Sequence, residues 1–423
     1  MPLTLDILEI GARGDGVAEQ GGERYFVPFT LPGEVVEAEP VDTRGAGIAT
    51  ELIEVRAPSR HREPPPCAHF TVCGGCALQH WRRDAYTAWK VGLIERALKQ
   101  RGVAAPAFER PLLGEPGERR RVDFVLRRQG RRVLAGFHER ASARVVDVGS
   151  CVIARPSLTA LLAPLRAALA EILPDGAAAD AVANETDGGV DVLIRPHKRL
   201  DLSIDRRQAL VALAERAGLA RLSWGDRATP EPIVTRRTPL LLLGDATVEP
   251  PPGGFLQATK RGEATMRAAV NAWIGDVPKL ADLFAGVGAL SLGRPGRLSL
   301  FESDKPSVAA VDAAARKIGG NRVVAERRDL FRNPLGAKEL DALDAIVLDP
   351  PRAGAAAQVA EIARSTVPRV VYASCDPGSF ARDARVLQDG GYRLEKLLPI
   401  DQFLWSPHLE LIALFARDGK VAA

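Results

Sequence analysis

Cysteine is scarce in this chain of 423 residues, five in all. No apolar run reaches the length of a membrane span, and residues 1–10, carrying Asp6 and Glu9, lack the basic and apolar regions of a secretory signal. A cytoplasmic protein with no membrane partner is therefore expected, and in that compartment thiols stay reduced, so disulfides are not expected. Charge of one sign is also lacking: 57 Lys and Arg stand against 53 Asp and Glu, an excess too weak for overall charge to argue for nucleic acid. The length allows about two to four domains, and a hydrophobic content of 46% is ordinary for globular folds.

The distribution of charge says more than its sum. Between positions 119 and 144 lie nine arginines (119, 120, 121, 127, 128, 131, 132, 140 and 144) against two acids, Asp123 and Glu139. Such a run is either a phosphate-facing patch or a solvated arginine-rich surface. Upstream, residues 2–57 read as short strands split by glycine, at 3–10, 25–29, 34–40 and 48–55, the pattern of a small β-barrel. Gly14-Asp15-Gly16-Val17-Ala18, Phe26-Val27-Pro28 and Leu31-Pro32-Gly33-Glu34 resemble the TRAM domain, an RNA-binding barrel attached to RNA-modifying enzymes. Barrels of this kind also bind proteins; RNA is the expected partner here.

Four of the cysteines form a set. Cys67, Cys73 and Cys76 are spaced C-x5-C-x2-C, and Cys151 follows far downstream. Four thiolates can close one metal site, and spacing leaves a structural zinc and an iron-sulfur centre equally open. Gly74 and Gly75 let the backbone wrap tightly there. The fifth cysteine, Cys375, lies within the run V-V-Y-A-S-C-D-P, just past the carboxyl end of a buried strand, where open α/β sheets do chemistry. It reads as a nucleophile or as a small buried apolar side chain. Between these signals, a helical pattern over 82–100 and strands at 122–126 and 133–137 make residues 58–250 a mixed α+β domain. Pro250-Pro251-Pro252-Gly253-Gly254 is the expected linker.

From residue 251 to 423 apolar strands (280–284, 298–301, 322–325, 345–348, 369–373) alternate with helical stretches including 306–318 and 354–365, so a largely parallel, doubly wound, Rossmann-like sheet is expected. Two more strands, 393–399 and 409–416, should follow. Pro306 suits a first helical turn behind Ser303 or Asp304 as cap. The first βα turn, Asp282-Leu283-Phe284-Ala285-Gly286-Val287-Gly288, can bring backbone close to a ligand, and Glu302 ends the second strand, where a carboxylate takes ribose hydroxyls. The third glycine of a dinucleotide fingerprint is missing, Ser291 standing in its place, so S-adenosylmethionine fits better than NAD. Asp329, after the third strand, can face the adenine. Asp349-Pro350-Pro351-Arg352 places a carboxylate and a rigid turn at the same edge. No aromatic follows Asp-Pro-Pro, as an adenine amino-methylating enzyme would want for stacking, and Pro351 stands where RNA cytosine-5 enzymes place a cysteine.

The set Phe255-Leu256-Gln257, Asp282 to Gly288, Asp349 to Arg352, Ser374-Cys375-Asp376-Pro377 and His408-Leu409-Glu410 resembles the RNA uracil-5-methyltransferases. With the barrel and the four cysteines it is most similar to the iron-sulfur 23S rRNA (uracil-5-)-methyltransferases, over nearly the whole chain. That resemblance implies that Gln257, Phe284, Glu302 and Asp349 bind the methyl donor, that Cys375 is the nucleophile and Glu410 the base, that Cys67, Cys73, Cys76 and Cys151 hold a 4Fe-4S cluster, and that a monomer acts on RNA, 23S rRNA first among the candidates. Without the resemblance Glu410 has a second reading, as an edge-strand surface acid. The rival from another class is an RNA-binding iron-sulfur protein without catalysis, against which Cys375 and Glu410 both argue. The chain departs from the family in two places: Thr259 stands where an asparagine usually follows the glutamine, and Gly293, Pro295 and Gly296 shorten the helix after Gly288, which is expected to move the ribose carboxylate.

Overall fold

The computed structural model describes residues 1–319 and 321–417; the end of the expected C-terminal segment, 418–423, lies outside them. Leu3–Asp6, Glu9–Ile10, Gly16–Gln20, Glu23–Val27, Val35–Thr43 and Ile48–Ala57 form one six-stranded sheet over a small core of Leu5, Ile7, Val27 and Val36. Its tight hairpin is set by Gly21 and Gly22, both at positive φ (63° and 83°) between the paired Gln20 and Glu23, a turn that costs other residues strain. Three register shifts between the two long strands bend this sheet.

The middle sheet has seven strands, in the order Glu231–Thr235, Arg221–Trp224, Gly189–Pro196, Ala178–Thr186, Arg121–Gln129, Arg132–His138 and Val145–Asp147. One pair in it is parallel. Leucines of the helices Leu162–Ile172 and Ile204–Arg216 complete its core.

The third sheet runs Val323–Arg327, Arg297–Glu302, Lys279–Leu283, Ala345–Leu348, Arg369–Ser374, Glu410–Ala416, Arg393–Ile400. Its first five strands are parallel and the last two antiparallel. The parallel, doubly wound arrangement follows from strands apolar on both faces: Ile346 and Leu348 enter one core while Ala345 and Val347 enter the other. Chain order reverses beside Lys279–Leu283, the switch point at which such sheets open a crevice. Helices Lys305–Ile318 and Ala356–Arg364 stand where the pattern put them, and Asp304 caps the first by accepting the Ser307 amide at 3.1 Å.

Other elements did not show in the pattern: helices Lys260–Ile274 and Pro377–Asp389, and the hairpin Leu241–Leu243/Ala246–Val248. Two pieces of the middle segment also pack on the C-terminal sheet. Ile94 and Leu98 of the helix Arg83–Gln100 join Phe380 and Leu387, and Leu243 of the hairpin joins Met266 and Leu292. Among the described residues no helix is long and apolar enough to cross a membrane.

Candidate active site

The apolar strand Arg369–Ser374 ends where Asp376 caps the helix Pro377–Asp389, accepting the Ser379 amide at 2.9 Å. The chain must turn between strand and cap, and Cys375 is left half-buried at the carboxyl edge of the sheet. Burial, then the nearby negative groups Glu410, Asp349 and Asp376, push its thiol up to about 12.

Glu410 opens a strand that lies between two others, and it is only 3% exposed, so it is no edge-strand surface acid. Burial, then repulsion from Asp349, holds its carboxyl well above the usual carboxylate range, and a hydrogen bond from Gln402 opposes that. Its Oε2 accepts from Gln402 Nε2 at 3.0 Å, while Oε1 is buried without a partner. Asp349, after the strand Ala345–Leu348, is pushed up to about 6 by burial and accepts from Gln257 Nε2 at 2.8 Å. Gln402 Nε2 donates also to Gln257 Oε1 at 2.9 Å. One chain of amides therefore joins Asp349 to Glu410. Gln257 is itself held by its backbone carbonyl, which accepts from the buried Arg120 at 3.1 Å.

At the switch point, Glu302 accepts the amides of Gly286 (2.9 Å), Ser303 (2.7 Å) and Asp304 (2.8 Å). Residues 286–293 run as turns without a helix, as the glycines and proline foretold. The hairpin carbonyl of Leu243 presses on Gly293, leaving no room for a side chain there. Glu302 is thus tied to the first turn by the Gly286 amide and to its own following loop by the Ser303 and Asp304 amides. Asp282 is buried and pushed up to about 7 by burial, and Ser291 Oγ donates to it at 2.5 Å, so the serine in the missing glycine's place pins the turn. Gly286, at φ 55°, has open space where a side chain would go; Gly288, at φ 77°, packs on Leu292 and Leu300. Phe284, also at positive φ (60°), lies 5.3 Å ring to ring from Phe331. Asp329 is exposed and accepts the Phe331 amide at 3.0 Å. Sequence reasoning missed Phe331, although Asp-Leu-Phe recurs at 282–284 and 329–331. It also missed Gln402, for which no local signal exists.

Thr259, in place of the usual asparagine, caps the helix Lys260–Ile274 by accepting the Gly262 amide at 3.0 Å. The arginine run does not act as one patch. Arg120 is 3% exposed and pairs with Glu263 at 2.5 Å, so it is a structural ion pair rather than a phosphate contact. Arg140 pairs with the buried Asp15, fastening the N-terminal sheet to the middle one. Arg121, by contrast, stacks over the exposed ring of Phe255 at 5.3 Å, close to the site.

Cys67, Cys73, Cys76 and Cys151 all line one cavity of about 340 Å³. Burial and mutual repulsion raise Cys73, Cys76 (to about 12) and Cys151, while the Gly75 amide opposes this at Cys73 and the Ile153 and Ala154 amides oppose it at Cys151. Among the described residues no group of three or more His, Cys, Asp or Glu is arranged to hold a metal ion. The same cavity reaches the loop 401–408, where the Ala77 and Leu78 amides donate to the Trp405 carbonyl at 2.9 and 3.0 Å.

Residues 321–418 match the family model tRNA (Uracil-5-)-methyltransferase. An uncharacterized RNA methyltransferase of Brucella suis is 42% identical over 420 residues, 98% of each chain. The 23S rRNA (uracil(1939)-C(5))-methyltransferase RlmD of Aeromonas salmonicida is 32% identical over 412 residues, covering 95% of this chain and 93% of that protein. In fold, the chain is similar to the Pyrococcus abyssi tRNA (uracil-54, C5)-methyltransferase solved with S-adenosyl-L-homocysteine, with a TM-score of 0.73 and 20% identity over 98% of this chain and 100% of that one. The protein is an S-adenosylmethionine-dependent RNA methyltransferase. More narrowly, the chain belongs to the RNA (uracil-5-)-methyltransferase family.

Proposed function

We propose that the protein methylates carbon 5 of a uridine in 23S rRNA, acting as a monomer through a covalent bond between Cys375 and the base. The observation that carries this reading is the convergence of Cys375, Asp349 and Glu410, close enough for each carboxyl to perturb the thiol, with Glu410 Oε1 left unpartnered. Carbon 5 of uracil is too weak a nucleophile to take a methyl group unaided. The Cys375 thiolate adds to carbon 6, and the double-bond electrons pass into an enolate. Carbon 5 then takes the methyl of the sulfonium, whose S–CH₃ bond breaks to leave the neutral thioether. Glu410 removes the carbon 5 proton, the double bond reforms and the carbon–sulfur bond to Cys375 breaks. One proton is released overall.

Phe284, Gly286 and Glu302 at the switch point, with Gln257 and Asp349, are assigned to the methyl donor; Asp282 and Gly288 shape the turn that carries them, and Asp329 stands at the adenine end beside Phe331. The N-terminal sheet is assigned as a TRAM-like RNA-binding barrel, with Arg121 and Phe255 nearer the target base, which must be flipped or already unpaired. The four cysteines are assigned to a 4Fe-4S cluster. What supports this is the chemistry of the donor set, four thiols lining one cavity with backbone amides beside two of them, although they are not gathered around a single ion. Its role is structural, since no electron is exchanged in the reaction. The preference for 23S rRNA rests on the relative at 32% identity. Nucleoside mass spectrometry on rRNA and tRNA from a deletion strain tests the reading: 5-methyluridine should be lost from 23S rRNA, and loss from tRNA alone would move the target.

A further inference from the structure

Gln402 is not a residue whose type announces a role. Yet it is 3% exposed and every polar atom of its side chain is engaged. Nε2 donates to Gln257 Oε1 at 2.9 Å and to Glu410 Oε2 at 3.0 Å, and Oε1 lies 3.4 Å from the Thr259 amide. The direction of these bonds is fixed by the partners. A backbone amide can only donate, so Oε1 must face Thr259, and Nε2 must then face the carboxyl. Gln257 in turn spends its own Nε2 on Asp349, so its oxygen must accept. The polarity therefore runs outward from Gln402, directly to Glu410 and through Gln257 to Asp349, and each donated bond favours the carboxylate form against the burial that raises both acids.

We propose that Gln402 is a positioning residue of the methyl transfer: its amide clamps one oxygen of Glu410, aims the other into the site, and ties the base to the donor-side pair Gln257 and Asp349. This rests on the reading of Glu410 as the base. Two features of the surroundings agree with it. Gly262 lies against Gln402, where a side chain on residue 262 would stand 3.0 Å from Gln402 Oε1, so the first turn of Lys260–Ile274 is open for the amide. The residue before it, Asp401, is locked by Tyr86 (2.9 Å) and Lys90 (2.5 Å), so the backbone carrying Gln402 cannot drift. The charged and titratable groups that face Glu410 are Cys375 from the end of the neighbouring strand and Asp349 from the end of the strand beyond it; both are negative when ionised, and Gln402 is the donor that opposes them.

Gln402→Met keeps the length and removes the donor. Turnover at neutral pH should fall roughly tenfold or more while KM for RNA holds. Losing a donor to the carboxylate disfavours the charged form, so the acidic limb of kcat, which belongs to the Asp349 and Glu410 pair, should move to higher pH. On unmodified RNA the covalent adduct should persist after the methyl has been transferred. Gln402→Glu provides a second variant of native shape, whose limb should move the same way. Unchanged kcat and an unchanged limb in either folded variant would overturn the proposal, as would a fall in kcat with no movement of the limb, which is what loose packing alone would give. Glu410→Gln run in parallel separates the two readings. If it turns over normally, the base assignment has failed; if it stalls while the Gln402 variants do not, only this inference has.

Discussion

Lys90 and Asp401, 311 residues apart in the chain, form a buried ion pair with Nζ 2.5 Å from Oδ1. Lys90 also donates to the Phe403 carbonyl at 3.0 Å, and Tyr86, one turn before it on the helix Arg83–Gln100, donates to the other Asp401 oxygen. That helix thus grips the loop leading to Glu410. Removing one partner of such a pair leaves a buried charge and costs about 3–5 kcal/mol. Lys90→Met should lower the thermal midpoint and slow turnover together, and Lys90→Met with Asp401→Asn should recover much of the midpoint. Calorimetry on the two variants checks this; a single variant as stable as the parent would show that the pair is not what holds the loop.

The thiol should respond to the charge of the methyl donor. Cys375 stands at about 12 because of burial and the negative groups Glu410, Asp349 and Asp376, so a sulfonium beside Asp349 favours the thiolate. Alkylation by iodoacetamide, followed at the Cys375 peptide, should be slow in the free protein and still rising above about pH 9. A cationic donor analogue should speed it relative to neutral S-adenosyl-L-homocysteine of similar shape. Equal rates with the two would remove the electrostatic link.

For the cysteine set, anaerobically purified protein should be brown, and Cys76→Ala should lose that absorbance and lower the thermal midpoint, because the Ala77 and Leu78 amides that follow hold Trp405. Colourless protein with stoichiometric zinc would contradict the cluster.

The arginines divide by burial. Arg121→Ala should weaken RNA binding and flatten its salt dependence with the midpoint kept. Arg120→Ala should instead cost about 3–5 kcal/mol of stability, since it leaves Glu263 buried without its partner. Binding isotherms at several salt concentrations, with melting curves, distinguish them.

Much of the C-terminal sheet was legible because its signals are local. The short apolar run Ala345–Leu348, set between helical stretches, reads as a strand covered on both faces, and Asp304 ahead of Pro306 marks a helix start within three residues. The helix Lys260–Ile274 was not legible, since Gly262 in its first turn weakens the helical pattern, and that glycine is there to make room for Gln402. Glu410 was visible as an acid in a motif, but its burial came only with the strand Arg393–Ile400 closing beyond it. The arginine run misled in part because a sequence shows charge and not partners: Arg120 meets Glu263 from 143 residues away. Lys90 with Asp401, and Gln402 with Gln257, are pairings across long separations that no window of sequence contains.

The most direct test of the covalent account uses RNA carrying 5-fluorouridine at the target. Addition of Cys375 and methyl transfer can proceed, but fluorine cannot leave as a proton does, so a protein–RNA adduct should accumulate and survive denaturing electrophoresis, with the modified peptide containing Cys375. Cys375→Ser should form none, since a serine hydroxyl at neutral pH is a far poorer nucleophile than a thiolate. Full methylation by Cys375→Ser, or an adduct mapped to another residue, would contradict the assignment.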